Sequence, residues 1–173
     1  MNYNITLVRK EDALQMLDYL KKIGSETDFL LFDSSGVPMT LAQEENFLDV
    51  VNKTEYSRMF VAKDNGKIIG NAYIHTNPRE RIKHKAEIAI SVLKEYWGKG
   101  VGSLLMERLI EYATNCGYTE TIYLEVVSKN QRAIKLYEKF GFVTYGLNKK
   151  AIKIGKDKYY DWNLMRLDLS KEN

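Results

Sequence analysis

The hydrophobic positions change period repeatedly along the chain. From Tyr3 to Val8 apolar and polar residues alternate, which predicts a first strand. Glu11 to Lys22 follows, with Ala13, Leu14, Leu17, Tyr19 and Leu20 at helical spacing, and Gly24 and Ser25 are expected to stop that helix. Glu26 to Thr40 has no period. It holds Phe29-Leu30-Leu31-Phe32 between acidic residues and then Ser34-Ser35-Gly36-Val37-Pro38, a long loop whose apolar residues either line a site or cover the core. Leu41 to Val51 reads as a second helix. Arg58 to Ala62 and Lys67 to His75 are strand-like, and the Asn65-Gly66 between them is a strong hairpin signal. Arg79 to Lys85 is polar and basic, as a solvated loop would be.

Ala86 to Val92 is dense in small and β-branched residues and reads as a buried strand. Val101, Leu104, Leu105, Leu109 and Tyr112 then recur every three or four residues, the stripe of an amphipathic helix. Cys116-Gly117-Tyr118 ends that helix and Phe140-Gly141-Phe142 ends the next, each a C-cap glycine followed by an aromatic. Thr121 to Val127 is another apolar strand. Ser128 and Gln131 have capping-box spacing at the start of a helix whose buried face is Ala133, Ile134, Leu136, Tyr137 and Phe140. Phe142 to Ile154 and Lys158 to Leu169 form two last strands around a turn near Gly155. Strands and helices interleave without repeat or linker, which predicts one α/β (or α+β) domain over residues 1–173 with a mixed sheet.

Between the buried strand and its helix stand Gly98, Gly100 and Gly102. Glycine reaches backbone angles closed to other residues and leaves nothing between its amide and a ligand. The first amides of a helix lack partners and carry the positive end of its dipole. A strand–glycine–helix junction is therefore a seat for phosphate or pyrophosphate, or else a tight turn with no ligand.

Composition narrows the classes. The 173 residues are 45% hydrophobic and 28% charged, an ordinary globular mixture large enough for one core. With 26 basic and 23 acidic residues the net charge of +3 does not argue for nucleic acid. A single cysteine, Cys116, excludes an internal disulfide, and with two histidines, His75 and His84, no zinc site is expected. Met1-Asn2-Tyr3-Asn4-Ile5 lacks the basic-then-apolar order of a signal peptide, and no run approaches a membrane span. The chain reads as cytoplasmic, without a membrane or nucleic-acid partner.

Two motifs now combine. Trp97-Gly98-Lys99-Gly100-Val101-Gly102 lies at the strand–helix turn, and about thirty residues on Asn130 opens a helix ending Tyr137-Glu138-Lys139-Phe140-Gly141-Phe142. Together, in this order, they resemble the GNAT N-acetyltransferase superfamily, whose signature is Gln/Arg-x-x-Gly-x-Gly/Ala. The resemblance covers Ile68 to Phe142 well. It implies a mostly antiparallel central sheet of six to seven strands flanked by about four helices. It also implies transfer of an acetyl group from acetyl-CoA, without a metal, to the primary amine of a small molecule or a protein N-terminus, and it allows a homodimer. By the same resemblance, Gly98, Lys99, Gly100, Val101, Gly102 and Ser103 would hold the pyrophosphate through their backbones. Ile90 to Val92 would align the pantetheine arm, and Asn130 would contact the coenzyme. Trp97 departs from the signature, so a charged side chain is missing there, with Lys99 or Lys139 as substitutes.

The resemblance makes Tyr137 the acid beside the coenzyme sulfur; the residues alone read as a core tyrosine on an amphipathic helix. Glu87 is the leading base, alternating with Ile88 and Ile90 on its strand, against a plain ion pair with Lys83 or Lys85. Glu26 is the reserve, with Asp28 and Asp33 nearby to attract a cation. His75 and His84 read as hairpin or loop histidines, and Cys116 as a small core residue. Lys149, Lys150, Lys153, Lys156 and Lys158 read as a solvated strand face, and Tyr159-Tyr160-Asp161-Trp162 either borders the acceptor pocket or packs a sheet edge. A phosphate-loop nucleotidase is excluded because the lysine of Gly98-Lys99-Gly100 is misplaced, and a dinucleotide-binding oxidoreductase because the third glycine comes too soon. A non-catalytic acyl-CoA sensor stays open, as does the acceptor.

Overall fold

The computed structural model describes residues 3–169; Met1 and Asn2, on which the reading of the N-terminus partly rests, and residues 170–173 lie outside them. The elements run β1 (Asn4–Leu7), a 3-10 turn (Lys10–Asp12), α1 (Ala13–Glu26), α2 (Leu41–Val51), β2 (Ser57–Asp64), β3 (Lys67–Thr76), β4 (Lys85–Val92), a second 3-10 turn (Lys94–Tyr96), α3 (Val101–Asn115), β5 (Thr121–Val127), α4 (Gln131–Lys139), β6 (Val143–Ile154) and β7 (Lys158–Asp168). The strands form one seven-stranded sheet in the order β1-β2-β3-β4-β5-β7-β6. Every pairing is antiparallel except β4 with β5, which the crossover through α3 makes parallel. Among the described residues no helix is long and apolar enough to cross a membrane.

Each face of the sheet buries its own core. On one side Val101, Leu105, Met106 and Leu109 of α3 and Ile134 and Tyr137 of α4 pack on Ala72, Ile74, Ala86, Ile122 and Leu124. On the other, Ala13, Met16, Tyr19 and Ile23 of α1 and Leu48 and Val51 of α2 pack on Met59, Val61 and Ile68. Asn65 and Gly66 both take positive φ (47° and 80°), the two-residue turn that matches strand twist, as the Asn-Gly pair predicted.

Two expected boundaries are corrected. Gly24 and Ser25 do not stop α1, which runs on to Glu26. Gly24 is there for packing: a Cβ on it would sit 2.0 Å from the Asp33 carbonyl oxygen, because the loop after α1 folds back against the helix. Ser128 is not the cap of α4 either. Asn130 is the cap residue, its Oδ1 accepting the Ala133 N–H at 3.2 Å, while Ser128 Oγ is bonded to Asn163 Oδ1 at 2.7 Å. Gln131 reaches only the Ser128 carbonyl. The side chain that reaches the third helical amide decides the cap, and Asn130 is placed to do so.

One pairing positions the site. β4 and β5 are in register only over Lys85–Glu87 and Thr121–Tyr123, then part company. Beyond that point Ile88–Val92 and Leu124–Val127 face each other across a gap. The Leu93 N–H bonds back to Ile69 on β3, so by alternation Ser91 and Ala89 also face β3. The backbone groups of Ile90 and Val92 therefore face the gap.

Candidate active site

The gap is the floor of a cavity of about 1010 Å³. At one end stands the glycine turn. Gly98 and Gly100 have φ of 73° and 85°, and a Cβ on either would meet nothing within 4 Å. Left-handed backbone leads straight into α3, and the residues of this junction other than Lys99 line the cavity through their amides. Those of Gly98, Gly100, Val101, Gly102 and Ser103 have no hydrogen-bond partner among the described residues. Lys99 is the exception. Its N–H is held by the Tyr96 carbonyl at 3.4 Å, its ammonium lies 5.3 Å over the Tyr96 ring, and it is outside the cavity lining.

Trp97 is pinned by its indole, whose Nε1 donates to the Val92 carbonyl at 2.7 Å. On the opposite wall α4 packs against the start of α3, with Leu136 3.1 Å from where a Gly102 Cβ would stand. Asn130, Arg132, Lys139 and Tyr137 of that wall line the cavity. The Asn130 cap uses Oδ1 only, so its amide nitrogen remains a donor. Arg132 was not read as a site residue from the sequence, yet its guanidinium stacks on the Trp97 ring. The Tyr137 ring is buried against Phe142, and its hydroxyl has no hydrogen-bond partner among the described residues. Burial pushes the Tyr137 phenol up to about 12, so it is neutral at ordinary pH.

The other end of the cavity is lined by Glu87, Tyr123, Glu125, Tyr145 and Trp162, with Phe29, Leu30 and Leu31 from the loop after α1 as its lip. Glu87 meets neither Lys83 nor Lys85. Lys83 pairs with Glu80 at 2.9 Å, whereas Glu87 Oε2 lies 3.7 Å from His75 Nε2, its register partner on β3. Nδ1 of His75 is buried with no partner among the described residues, so Nε2 is the nitrogen that meets Glu87. Glu125 shares the face of β5 with Tyr123. Burial, and then the Glu87 charge, push its carboxyl above the usual range.

The reserve candidate is engaged elsewhere: Glu26 Oε2 accepts the Lys94 N–H at 2.7 Å, and Glu26 is outside the lining. Asp28 is tied to Lys158 at 2.9 Å and Asp33 caps the Ser35 N–H, so these acids shape the loop. Phe29 packs on Tyr160, and Trp162 lines the cavity while Tyr159 is exposed. Among the described residues no cluster of His, Cys, Asp or Glu could hold a metal ion.

Comparison with known proteins defines the class. Residues 25–142 match the family model "Acetyltransferase (GNAT) family", and the chain belongs to that family. It is 36% identical over 106 residues to L-amino acid N-acetyltransferase AaaT of Escherichia coli (strain K12), an alignment covering 60% of this chain and 65% of that protein. The chain thus spans just under two thirds of that relative's length. A crystal structure of a GNAT-family acetyltransferase from Streptococcus pneumoniae superposes with a TM-score of 0.93 at 33% identity, covering 97% of this chain and 100% of that one. The fold is also that of a Salmonella typhimurium protein, yncA, solved with acetyl-CoA: TM-score 0.84 at 20% identity over 100% of this chain and 97% of that one.

Proposed function

We propose that the chain transfers the acetyl group of acetyl-CoA to a primary amine by direct attack. The observation that carries this reading is the parting of β4 from β5. It opens one continuous cavity from the glycine-turn amides to the Tyr137 hydroxyl, none of them bonded to a described residue, and on to Glu87. The residues fit the coenzyme. Open space above two positive-φ glycines suits a pyrophosphate, and the gap-facing backbone of Ile90 and Val92 can pair with the amides of a pantetheine arm as a strand would. The thioester supplies an activated acyl group. The work left to the protein is to hold it, to accept a proton from the amine and to stabilise charge on the departing sulfur.

Each task falls to a group already placed. The Ile90 N–H faces the gap and is a fixed donor for the negative charge that builds on the acyl oxygen. Tyr137, kept neutral, donates a hydrogen bond from its hydroxyl to the sulfur as the C–S bond breaks. Glu87 accepts the ammonium proton, directly or through one water. Tyr123, Tyr145 and Trp162 give the acceptor's carbon skeleton an aromatic wall, and Glu87 with Glu125 attracts its cationic form. This fits a small amine or a peptide N-terminus. The E. coli relative named for L-amino acids makes amino acids the first acceptors to try.

The test is release of free thiol from acetyl-CoA in the presence of amino acids, polyamines and short peptides. Saturable, amine-dependent release is expected. Saturable binding of acetyl-CoA with no turnover on any amine would overturn the reading and make the chain an acyl-CoA sensor.

A further inference from the structure

Trp97 stands where the family signature has Gln or Arg, so the glycine turn lacks that charged side chain. The structure supplies a cation from elsewhere. The Arg132 guanidinium carbon lies 3.0 Å over the centre of the Trp97 ring, and Trp97 is itself held by the Val92 carbonyl. Arg132 has no ion-pair or hydrogen-bond partner among the described residues, whereas Arg108 and Arg166 are paired with Glu111 and Asp168. It lines the cavity together with Trp97, Gly98, Gly100 and Gly102. One helical turn further along α4, Leu136 rests on Gly102, which fixes the distance between the two walls.

We propose that Arg132, stacked on Trp97, is the residue that reads the phosphate of the donor and makes the site specific for a nucleotide-bearing thioester. This rests on the reading that the donor is a CoA thioester. A guanidinium seated over an indole, with no other partner among the described residues, keeps its N–H donors available, and they form a planar fork matched to two phosphate oxygens. Partial burial lowers the Arg132 pKa from its ordinary value, and a less hydrated cation binds an anion more readily. The amides of the turn supply donors and Arg132 supplies the full charge. Lysine cannot substitute, because an ammonium neither stacks in this way nor presents a fork.

Calorimetric titration of the full chain with CoA, dephospho-CoA and pantetheine, for wild type, Arg132→Gln, Arg132→Lys and Trp97→Leu, tests this. Arg132→Gln should weaken CoA binding by about 10- to 100-fold and flatten the salt dependence of the dissociation constant, as loss of one charge-assisted fork implies. Pantetheine should be unaffected. Arg132→Lys should recover only a small part, and Trp97→Leu should reproduce much of the loss. An equal loss on CoA and dephospho-CoA assigns the fork to the pyrophosphate, and a loss on CoA alone assigns it to the 3′-phosphate; either supports the proposal. Unchanged CoA binding with an unchanged salt slope in Arg132→Gln overturns it, as does full recovery by lysine. A loss shared by pantetheine, or a lowered melting temperature, shows a structural role and also overturns it. Failure of the wild type to bind CoA at all is a different result, and rejects the donor assignment itself.

Discussion

Tyr137→Phe separates the chemistry of this cleft from its packing. The hydroxyl it removes makes no hydrogen bond to any described residue, and the ring it keeps carries the contact with Phe142. No bond is lost from the folded state, so stability at pH 7 should change by less than about 1 kcal/mol. The rate should respond more strongly. A phenol raised to about 12 by burial is a weak acid, so its main action is a hydrogen bond that strengthens as charge gathers on the sulfur. A hydrogen bond to a charged group is worth about 1.5–3 kcal/mol, which corresponds to a fall in kcat of about 10- to 150-fold. Coenzyme affinity should stay within about twofold, because the bond forms only as the reaction proceeds. There is also an alkaline signature. The folded phenol ionises above its ordinary value near 10, so its contribution to stability is complete below pH 10 and is lost as pH rises toward 12. Wild type should therefore lose about 2–3 kcal/mol more than Tyr137→Phe across that window. Steady-state kinetics with thiol detection and denaturant titrations at pH 7, 10 and 12 read all three. A kcat within twofold of wild type refutes the role in catalysis, and a large loss of stability at pH 7 refutes the reading of the hydroxyl as unbonded.

Other substitutions test the remaining parts. Gly100→Ala puts a side chain at φ 85° with open space around it, so it should cost about 1–2 kcal/mol of stability through strain and weaken CoA binding at least tenfold; a CoA affinity equal to wild type would exclude the turn from the site. Gly24→Ala would gain about 1 kcal/mol if helix propensity ruled, but the clash with the Asp33 carbonyl should make it about 1–3 kcal/mol less stable in urea unfolding. Glu125→Gln removes a carboxylate that the fold disfavours, so it should melt higher than wild type at pH 7 and lose that advantage as pH falls below about 4. A variant that melts lower at pH 7 than at pH 4, each relative to wild type, would contradict that assignment. Glu87→Gln should lower kcat by about 100-fold with CoA affinity kept, and an unchanged kcat would move the base elsewhere.

What the sequence revealed was local, and what it hid depended on register. The glycine turn, the Asn-Gly hairpin, the strand over Thr121–Val127 and the helix over Leu41–Val51 follow from residues within a few positions of one another, and the structure has them where they were read. Gly24 was misread because a glycine near a helix end usually marks a stop, and only the returning loop shows that its missing side chain makes room for Asp33. His75 and Glu125 entered the site through pairing: His75 faces Glu87 by the β3–β4 register, and Glu125 joins it because β5 runs parallel to β4. Alternation along β5 from Tyr123 was the one available signal for Glu125. Arg132 is the second residue of a helix whose buried face had been read from its spacing, and nothing local says that its neighbour is Trp97. The acceptor end is least legible, since the loop after α1 has no period and is placed by single contacts such as Phe29 on Tyr160 and Asp28 on Lys158.

The central claim is that acetyl-CoA lies in the gap between β4 and β5 with its pyrophosphate on the glycine turn. A crystal structure of the complex tests it most directly. The account predicts phosphate oxygens within hydrogen-bond distance of the amides of Gly98 and Gly100 to Ser103, pantetheine amides paired with the backbone of Ile90 and Val92, and the sulfur beside the Tyr137 hydroxyl. Coenzyme bound outside that gap, or bound with its phosphates away from the turn, would contradict it.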